Sequence, residues 1–330
     1  MKSLLTSFDL LLVALAFFIM AVGLSRRWSL WRKKKPAGIS GDWRGLQTAL
    51  LAHRGILRRP SVGGAHLAAF WGVVIPLIVI ILVQFGFIIP HVPANLLSLI
   101  QDFAGIALLI GTLLLLVRRL GCADAEGPSR TLLPMILMLV ILVSGFLAEG
   151  ARLSILRADG FAWPSPMGWL FSLISPASPL FMQMMIRLHF FAVLFLIAAI
   201  PFTFMRHAVA SPLNVFYRKQ GARAALTHPS IEHGEIGART VNDLSWKQML
   251  DADACVACGR CDENCPAAIS GKPLSPRKII RNIREQMETV SAGQKHPPNV
   301  RGNTSEAPLL ENAVSADEMW ACTSCMACVE

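Results

Sequence analysis

Few residues of this 330-residue sequence are charged. Only 16% of the residues are Asp, Glu, Lys or Arg, whereas 54% are hydrophobic. Soluble domains carry about 25% charged residues, so the composition argues against a wholly soluble protein. The same apolar content excludes intrinsic disorder over most of the length. A single membrane anchor would not raise the average this far, and the composition therefore favours a protein with several membrane spans.

Long apolar runs are missing after residue 205, and cysteine is almost missing before residue 250. A spanning helix needs about 20 mostly apolar residues. Five such segments occur, at residues 4–24, 67–90, 96–117, 131–148 and 181–205. Seven of the eight cysteines follow residue 250. The sequence therefore predicts a mainly α-helical fold, with a five-helix transmembrane domain over residues 1–210, a linker over 211–245 and a small helical domain over 246–330.

Positive charge is distributed unevenly among the loops. Residues 25–65 contain ten Lys or Arg and a single acid, Asp42, whereas residues 91–101 contain no Lys or Arg. Because basic loops face the cytoplasm, we expect the N-terminus outside and the C-terminal domain in the cytoplasm, in a cell inner membrane. The basic loops account for the net charge of +10. Membrane lipid is thus an expected partner and nucleic acid is not.

Four histidines lie in or near the predicted spans, where ionisable residues are costly and usually functional. They are His53, His66, His189 and His207. His189 and His207 are 18 residues apart, about five helical turns, so one helix would present both on the same face. Because the second and fifth spans run in opposite directions, we expect His66 to pair with His189 near the outer side. His53 would pair with His207 near the inner side, so that each pair holds one b haem with both axial positions filled.

His53 is the weaker member of this set. It lies 13 residues before His66, which would place the two on different faces of an unbroken helix. Pro60 and Gly63-Gly64 lie between them and offer a break. The alternative for His53 is an interfacial histidine among arginines. Three further histidines lie in polar stretches and are assigned no role: His228, His233 and His296.

The first cysteine run has the spacing C-x2-C-x2-C-x3-C-P, from Cys255 through Cys258, Cys261 and Cys265 to Pro266. This is the bacterial ferredoxin pattern for a [4Fe–4S] cluster. A zinc site would favour two separated pairs of cysteines or added histidines. A disulfide set is disfavoured on the cytoplasmic side of a membrane. The run therefore predicts an electron-carrying cluster.

The second cysteine run, Cys322, Cys325 and Cys328, matches C-x2-C-x2-C and is followed only by Val329 and Glu330. In two-cluster ferredoxins the fourth cysteine of each run binds the other cluster. We therefore predict one cluster on Cys255, Cys258 and Cys261, and a second on Cys265, Cys322, Cys325 and Cys328. The fourth ligand of the first cluster is expected beyond Glu330, in a longer protein of which this chain is a part.

A candidate quinone site lies at the predicted outer end of the fourth span. Glu149 and Arg152 are both charged and lie three residues apart. They could bind quinone or exchange its protons, and the alternative is a helix-end ion pair. The sequence identifies no catalytic residue.

The first 210 residues resemble the gamma subunit of respiratory nitrate reductase and the membrane subunits of heterodisulfide reductase. The resemblance rests on the order of the four histidines and on three stretches: RRPSVGGAHLAAFWG, LVSGFLAEGAR and LHFFAVLFLIAAIPFTFMRHAVASPLNVFYR. The segment from Cys255 to Cys328, with SGKPLSPRKIIRNIR between the runs, resembles the dicluster ferredoxin module of heterodisulfide reductase and of succinate dehydrogenase-type iron–sulfur subunits. The resemblance implies a cytochrome b bundle followed by a dicluster ferredoxin domain.

The fusion of the two modules resembles membrane-bound iron–sulfur oxidoreductases that carry further, cysteine-rich CCG domains downstream. This implies respiratory electron transfer between the quinone/quinol pool, with menaquinone as the quinone, and a cytoplasmic redox partner. That partner would be an electron-transfer flavoprotein or a disulfide-reducing subunit. The implied cofactors are two b haems and two [4Fe–4S] clusters. The alternative is a haem-free membrane anchor that holds an iron–sulfur module for a partner complex.

Overall fold

The structure is a computed structural model and describes residues 6–32, 41–84, 94–121, 128–156, 162–218, 237–291 and 308–328. Within these ranges the chain is 77% helical and has no β-strand, only an isolated bridge between Leu310 and Val314. The predicted mainly α-helical fold is confirmed. The chain divides into two compact units, the first comprising Met1–Met20 and Leu51–Phe204, the second Ala21–Leu50 and Met205–Glu330.

The α-helices are numbered in chain order. They are α1 (Ser7–Trp31), α2 (Trp43–Leu51), α3 (Arg54–Leu57), α4 (Pro60–Gln84), α5 (Ala94–Leu120), α6 (Pro128–Ile155), α7 (Pro166–Ser172), α8 (Pro179–Ala199), α9 (His207–Phe216), α10 (Trp246–Ala254), α11 (Arg260–Glu263), α12 (Pro266–Ile269), α13 (Pro276–Ser291) and α14 (Ala316–Trp320).

Five helices of the described chain are long and apolar enough to cross a membrane: α1, α4, α5, α6 and α8. Many of their large apolar side chains are exposed, as expected for surfaces that face lipid. The five predicted spans are therefore confirmed, with different ends. The second begins at Pro60 and the fourth continues to Ile155, because helical hydrogen bonding extends past the last strongly apolar residue.

Two pairs of helices form the framework of the first unit, α4 with α5 and α6 with α8. Glycine allows α4 and α5 to approach closely. A Cβ atom on Gly72 would lie 2.6 Å from the Leu108 Cβ, and one on Gly111 would lie 2.6 Å from the Ala65 carbonyl oxygen. Small residues are the usual solution at such crossings in membranes. In the described part of the chain, α4 and α8 are not among the helix pairs in extensive contact.

The fifth membrane span does not continue as one α-helix to His207. α8 ends at Ala199, two 3₁₀ turns follow at Ile200–Phe202 and Phe204–Arg206, and α9 begins at His207. Pro201 lies at this break, and proline removes a backbone donor and clashes with the preceding turn. The prediction that one regular helix presents His189 and His207 on the same face was therefore wrong.

The second unit has a core built from distant parts of the chain. Leu30, Ala210, Leu250 and Met287 are all buried there. α13 is amphipathic, and its apolar face contributes to this core. α9 also packs here, so the first part of the predicted 211–245 linker is helical. The contact boundary between the units falls at Phe204, not at 210, because Ala210 belongs to this core.

Candidate cofactor sites

His189 has the surroundings of a metal-binding histidine. Its Nδ1 lies 2.8 Å from the carbonyl oxygen of Ile141 on α6. A carbonyl can only accept, so Nδ1 carries the proton and donates it. This fixes the tautomer and leaves Nε2 with its lone pair available for a metal. Gly145 makes room for the ring, because a Cβ there would lie 3.2 Å from Nδ1.

His53 and His66 lie together at the start of α4. Their ring centroids are 5.6 Å apart, and Phe70 packs edge-on against His53 at 4.7 Å. The expected break is present, since α3 ends at Leu57 and α4 begins at Pro60, although Gly63-Gly64 lie inside α4. This break folds His53 back towards His66. The expectation that the two rings lie near opposite membrane sides is thereby corrected.

His53 has a left-handed backbone conformation and a buried side chain. The residue has φ 48°, in the left-handed region, which non-glycine residues adopt mainly where the surroundings impose it. Its side chain is 3% exposed, and Nδ1 has no hydrogen-bond partner among the described residues. A buried imidazole nitrogen without a partner fits a ligand position. His207, half-buried, begins α9 in the second unit, and the two predicted axial pairings remain predictions.

Glu149 and Arg152 form a two-point ion pair at the end of α6, with N–O distances of 2.6 and 2.8 Å. The helix-end ion pair that the sequence analysis kept as an alternative is thus present. Both side chains are partly exposed. The geometry leaves the carboxylate and the guanidinium accessible, and a quinone role stays a prediction.

Asp102 is a buried carboxylate to which the sequence analysis gave no role. It accepts hydrogen bonds from the Ser165 hydroxyl at 3.2 Å and from the Met167 backbone N–H at 2.7 Å. Gly168 follows, and a Cβ there would lie 2.5 Å from Ser165 Oγ and 2.6 Å from Glu149 Cγ. The signal was visible as one acid in an otherwise apolar span. Beside it, an apolar groove of about 320 Å³ lies between α4 and α5, lined by residues such as Trp71 and Phe103.

A second acid within a predicted span also has a partner. Asp9 of α1 is 2% exposed, accepts hydrogen bonds from Thr6 and pairs with Arg187 of α8. Arg187 precedes His189 by two residues. The sequence shows both charges but does not show that they neutralise each other.

The two cysteine runs adopt the same local backbone. In each run, the second and fourth residues after the first cysteine have positive φ: Ala257 (51°), Gly259 (82°), Ser324 (53°) and Met326 (61°). In each run a backbone N–H also points at the first sulfur, with Ala257 N 3.4 Å from Cys255 Sγ and Ser324 N 3.4 Å from Cys322 Sγ. Left-handed non-glycine residues cost about 1–2 kcal/mol each, and such strain occurs mainly at functional sites.

The thiols separate into two neighbourhoods. Burial raises the pKa of Cys261 to about 11, and Asp262 and the Cys255 thiol add to the rise. Burial likewise raises the pKa of Cys328, and the neighbouring thiols of Cys322, Cys265 and Cys325 add to it. Cys265 therefore lies among the thiols of the second run, and it shares an apolar cluster with Ala321. A cluster metal would have to supply the positive charge that turns these thiols into thiolates.

The cysteines of the two runs are present as thiols. All seven cysteines of the two runs are free of disulfides. Within the described ranges, no three His, Cys, Asp or Glu side chains lie close enough to hold one metal ion. In a [4Fe–4S] cluster, by contrast, each thiolate binds its own iron, so the ligands need not converge on one point.

A group of buried charges lies in the second unit, close in sequence to both kinds of candidate ligand. We call it the charge cluster; it consists of Arg27, Trp31, Arg206, Asp253 and Glu288. The Arg27 and Arg206 guanidinium groups each lie 2.7 Å from the Glu288 carboxylate. Asp253, whose side chain is fully buried, accepts a 3.0 Å hydrogen bond from Trp31 Nε1.

The two carboxylates of the charge cluster respond differently to the shared arginines. Burial raises the pKa of Asp253, and Arg27 and Arg206 offset that rise only in part. Burial also disfavours the charged form of Glu288, but Arg206 and Arg27 outweigh it and hold the pKa of Glu288 at about 2. Glu288 is the more solvated of the two, with 16% of its side chain exposed.

The membrane part and the cysteine-rich part of the chain each match a known family. Residues 46–222, more than half of the chain, match the family model for the nitrate reductase gamma subunit. This chain belongs to the nitrate reductase gamma subunit family. Residues 254–330 match the 4Fe-4S dicluster domain. The resemblances stated from the sequence are confirmed, and the chain is a multi-pass membrane protein with a dicluster domain. No solved structure matches the chain.

Three curated relatives match different shares of this chain. An EtfAB:quinone oxidoreductase of Syntrophomonas wolfei is 28% identical over 83% of this chain and 44% of its own length. A probable membrane-anchored ferredoxin of Chromohalobacter salexigens is 31% identical over 38% of this chain and 22% of its own length. One subunit of the dihydromethanophenazine:CoB–CoM heterodisulfide reductase of Methanosarcina barkeri is 32% identical over 42% and 49%, respectively. The chain thus spans less than half the length of these relatives.

Proposed function

We propose that this chain is the electron-transfer part of a membrane-bound, quinone-linked oxidoreductase. It would carry electrons between the quinone/quinol pool, with menaquinone as the quinone, and a soluble redox partner. The observation that carries the proposal is the ferredoxin loop built twice, with Cys265 among the thiols of the second run, in a chain with five membrane helices. Relatives named as oxidoreductases support it.

The membrane half would hold two b haems. His66 and His189 are the proposed ligands of one, and His207 is a proposed ligand of the other. The pairing of His207 with His53 has less support than that of His66 with His189, because the His53 ring lies 5.6 Å from the His66 ring. A haem with two histidine ligands transfers single electrons and has no vacant site for a small molecule. The Ile141 carbonyl keeps Nε2 of His189 unprotonated, and Gly145 leaves the ring its place.

The C-terminal half would hold two [4Fe–4S] clusters, which also transfer single electrons. Cys255, Cys258 and Cys261 belong to one, and Cys265 with the second run to the other. The left-handed residues turn each loop at the same two positions, and in each loop a backbone N–H points at the first cysteine sulfur. N–H groups pointing at sulfur tune the potential of such clusters.

Quinone chemistry would take place where the carboxylates converge. Oxidation of a quinol releases two protons along with its electrons. Asp102 and Glu149, which lie next to Met167 and Gly168 respectively, would take them up. Arg152 would hold Glu149 in place through its two-point contact. The apolar groove between α4 and α5 suits the isoprenoid tail.

The proposed location is the inner membrane, with the iron–sulfur domain in the cytoplasm. The concentration of ten Lys or Arg in residues 25–65 supports this orientation. An electron-transfer flavoprotein or a disulfide-reducing subunit is the proposed partner, as suggested by the relatives' names.

The first experiment is a dithionite-minus-oxidised visible spectrum of the purified full protein, with haem and iron quantified on the same sample. We expect two b haems per chain, reducible by a menaquinol analogue, together with cluster iron. His189→Ala should lose one haem, whereas His233→Ala, a change at a histidine with no assigned role, should retain both. Iron without any haem would contradict the proposal and support a haem-free anchor. If the wild-type protein holds only one haem and His53→Ala retains it, His53 is not a haem ligand.

A further inference from the structure

α9 and α10 pack side by side in the second unit, and three contacts fix their register. From one end to the other these contacts pair Tyr217 with Trp246, Asn214 with Lys247, and Ser211 with Ala254. Residue numbers rise along α9 as they fall along α10, so the two helices are antiparallel. The first residue of α9, His207, must therefore lie at the end of α10 that leads into Cys255.

Hydrogen bonding reinforces this placement. The Ser211 hydroxyl, one helical turn after His207, donates to the carbonyl oxygen of Ala254 at 3.4 Å. Ala254 is bonded directly to Cys255. A candidate haem ligand and a candidate cluster ligand are thus joined by one helical turn, one hydrogen bond and one peptide unit.

The charge cluster provides a second, independent link. Arg206 directly precedes His207, and its Nη1 lies 3.8 Å from Asp253 Oδ1 and 2.7 Å from Glu288 Oε1. Asp253 precedes Cys255 by two residues, and its side chain is fully buried. Two charged side chains next to the two candidate ligands are therefore held against each other away from water.

Both cysteine runs contact the N-terminal end of α13, where Asp262 of the first run accepts hydrogen bonds from the Ser275 hydroxyl and the Arg277 N–H, but the first run also reaches the end that carries Glu288. Glu288, bonded to Arg206, is near the C-terminal end of this helix. Arg284, one turn earlier, donates to the Cys255 carbonyl oxygen at 2.7 Å. The second run is attached near the N-terminal end, where Lys278 pairs with Glu318 at 3.0 Å. Lys278 and Glu288 are ten residues, about 15 Å, apart along the helix axis.

We infer that the cluster bound by the first cysteine run is the one beside the haem bound by His207, with Asp253 and Ser211 as the residues that position it. The second-run cluster is the more remote from the haem. Asp253 and Ser211 would then position the first-run cluster so that, with all cofactors bound, electron exchange between the haems and the second-run cluster would involve it. This inference rests on the proposed function, because it requires a haem on His207 and both clusters.

The order of the clusters is tested by photoreducing the full, oxidised protein with a light-activated deazaflavin. Haem absorbance and freeze-quenched EPR of the clusters are followed together. Cys258→Ser should abolish the haem reduction that passes through the clusters, and its residual rate measures direct reduction by the dye. In Cys325→Ser, the haem should still be reduced faster than this residual rate. Equal loss in both variants would overturn the order.

The positioning role is tested with a matched pair of carboxylate changes in the same unit. Asp253→Asn should slow haem reduction after the flash by about tenfold, which corresponds to about 1.4 kcal/mol in the barrier, with haem content, iron content and cluster EPR unchanged. Glu318→Gln, four residues before Cys322, should leave the rate as in wild type. Ser211→Ala, which removes one hydrogen bond only, should slow the rate by a smaller factor and carries the test if Asp253→Asn does not assemble its clusters.

The outcomes separate this inference from the proposed function. Wild-type rates in both Asp253→Asn and Ser211→Ala, with cofactors intact, would overturn the positioning role while leaving the haems and clusters established. A wild-type protein without haem would instead overturn the proposed function itself, and the inference with it.

Discussion

The two cysteine runs share one backbone but differ in their surroundings. Both use left-handed residues at the same two positions and point the same N–H at the first sulfur. Two of the three leading cysteines in the first run are half-buried, whereas the three in the second are exposed by surface area, although the Cys328 sulfur is still shielded enough for burial to raise its pKa. The spacing of the cysteines determines the loop, and contacts from elsewhere in the chain determine what lies around it.

The charged residues that precede the two runs also differ in their surroundings. The first run is preceded by Asp253 in the buried charge cluster, and the second by Glu318, paired with a Lys278 side chain that is 53% exposed. An ion pair stabilises little where water screens it, whereas breaking a buried one is costly because the remaining charge has no solvent. The two regions should therefore respond very unequally to the loss of one cation.

The largest effect is expected when Arg206 is removed from the charge cluster, and removal of Lys278 is the matching change in the other region. Arg206→Met should lower the free energy of unfolding of the second unit by about 3–5 kcal/mol, because Asp253 and Glu288 are left buried with Arg27 alone. Lys278→Met should lower it by about 1 kcal/mol or less. Urea unfolding of the detergent-solubilised protein, followed by cluster absorbance, measures both. Equal losses would show that burial does not distinguish the two regions.

Acid should affect the two regions differently as well. Arg206 and Arg27 hold the pKa of Glu288 at about 2, below its ordinary 4.5. A carboxyl whose pKa is lower in the folded state contributes stability that is complete above pH 4.5 and is lost as the pH falls towards 2. The difference corresponds to about 3 kcal/mol. Asp253, whose pKa burial raises, contributes in the opposite direction and at higher pH.

Glu288→Gln isolates the first of these contributions. Unfolding free energies measured from pH 6 to pH 2.5 by tryptophan fluorescence should fall less steeply in this variant than in wild type. Glu318→Gln should flatten the slope by less, because the Ser315 backbone N–H and Lys278 lower the pKa of Glu318 too, but less than the arginines lower that of Glu288. A Glu288→Gln slope identical to wild type would mean that the arginines do not stabilise this carboxylate.

The features that sequence predicted well depend on local pattern. The five spans follow from continuous apolar runs, and the shared loop of the cysteine runs follows from their spacing. The break before α4 was also anticipated from Pro60. In each case, the residues that determine the structure are neighbours in the chain, so no distant contact is needed to recognise them.

The features that sequence missed depend on distant contacts. The charge cluster joins residues separated by up to 261 positions, from Arg27 to Glu288, and nothing local marks them as partners. Pro201 was visible, but the regular 18-residue spacing of His189 and His207 suggested one helix. The pairing of Asp9 with Arg187, and of Asp102 with Ser165, likewise appears only once the helices are packed.

The smallest predicted effect concerns the left-handed positions themselves, and it compares the runs residue by residue. Ala257 and Ser324 have nearly the same φ, 51° and 53°. Glycine relieves the left-handed strain of about 1–2 kcal/mol but loses about 0.5–1 kcal/mol of chain entropy on folding. Ala257→Gly and Ser324→Gly should therefore each raise the unfolding free energy by roughly the same amount, up to about 1 kcal/mol.

At the next left-handed position the runs should diverge, because the first already has Gly259 where the second has Met326. Met326→Gly should stabilise by up to about 1 kcal/mol, and Gly259→Met should destabilise by at least as much. Urea unfolding of the four single variants measures these changes against wild type. If Met326→Gly instead destabilises the protein, the Met326 side chain stabilises the second run by more than its left-handed backbone destabilises it. The loops would then be alike in shape but not in the interactions that maintain it.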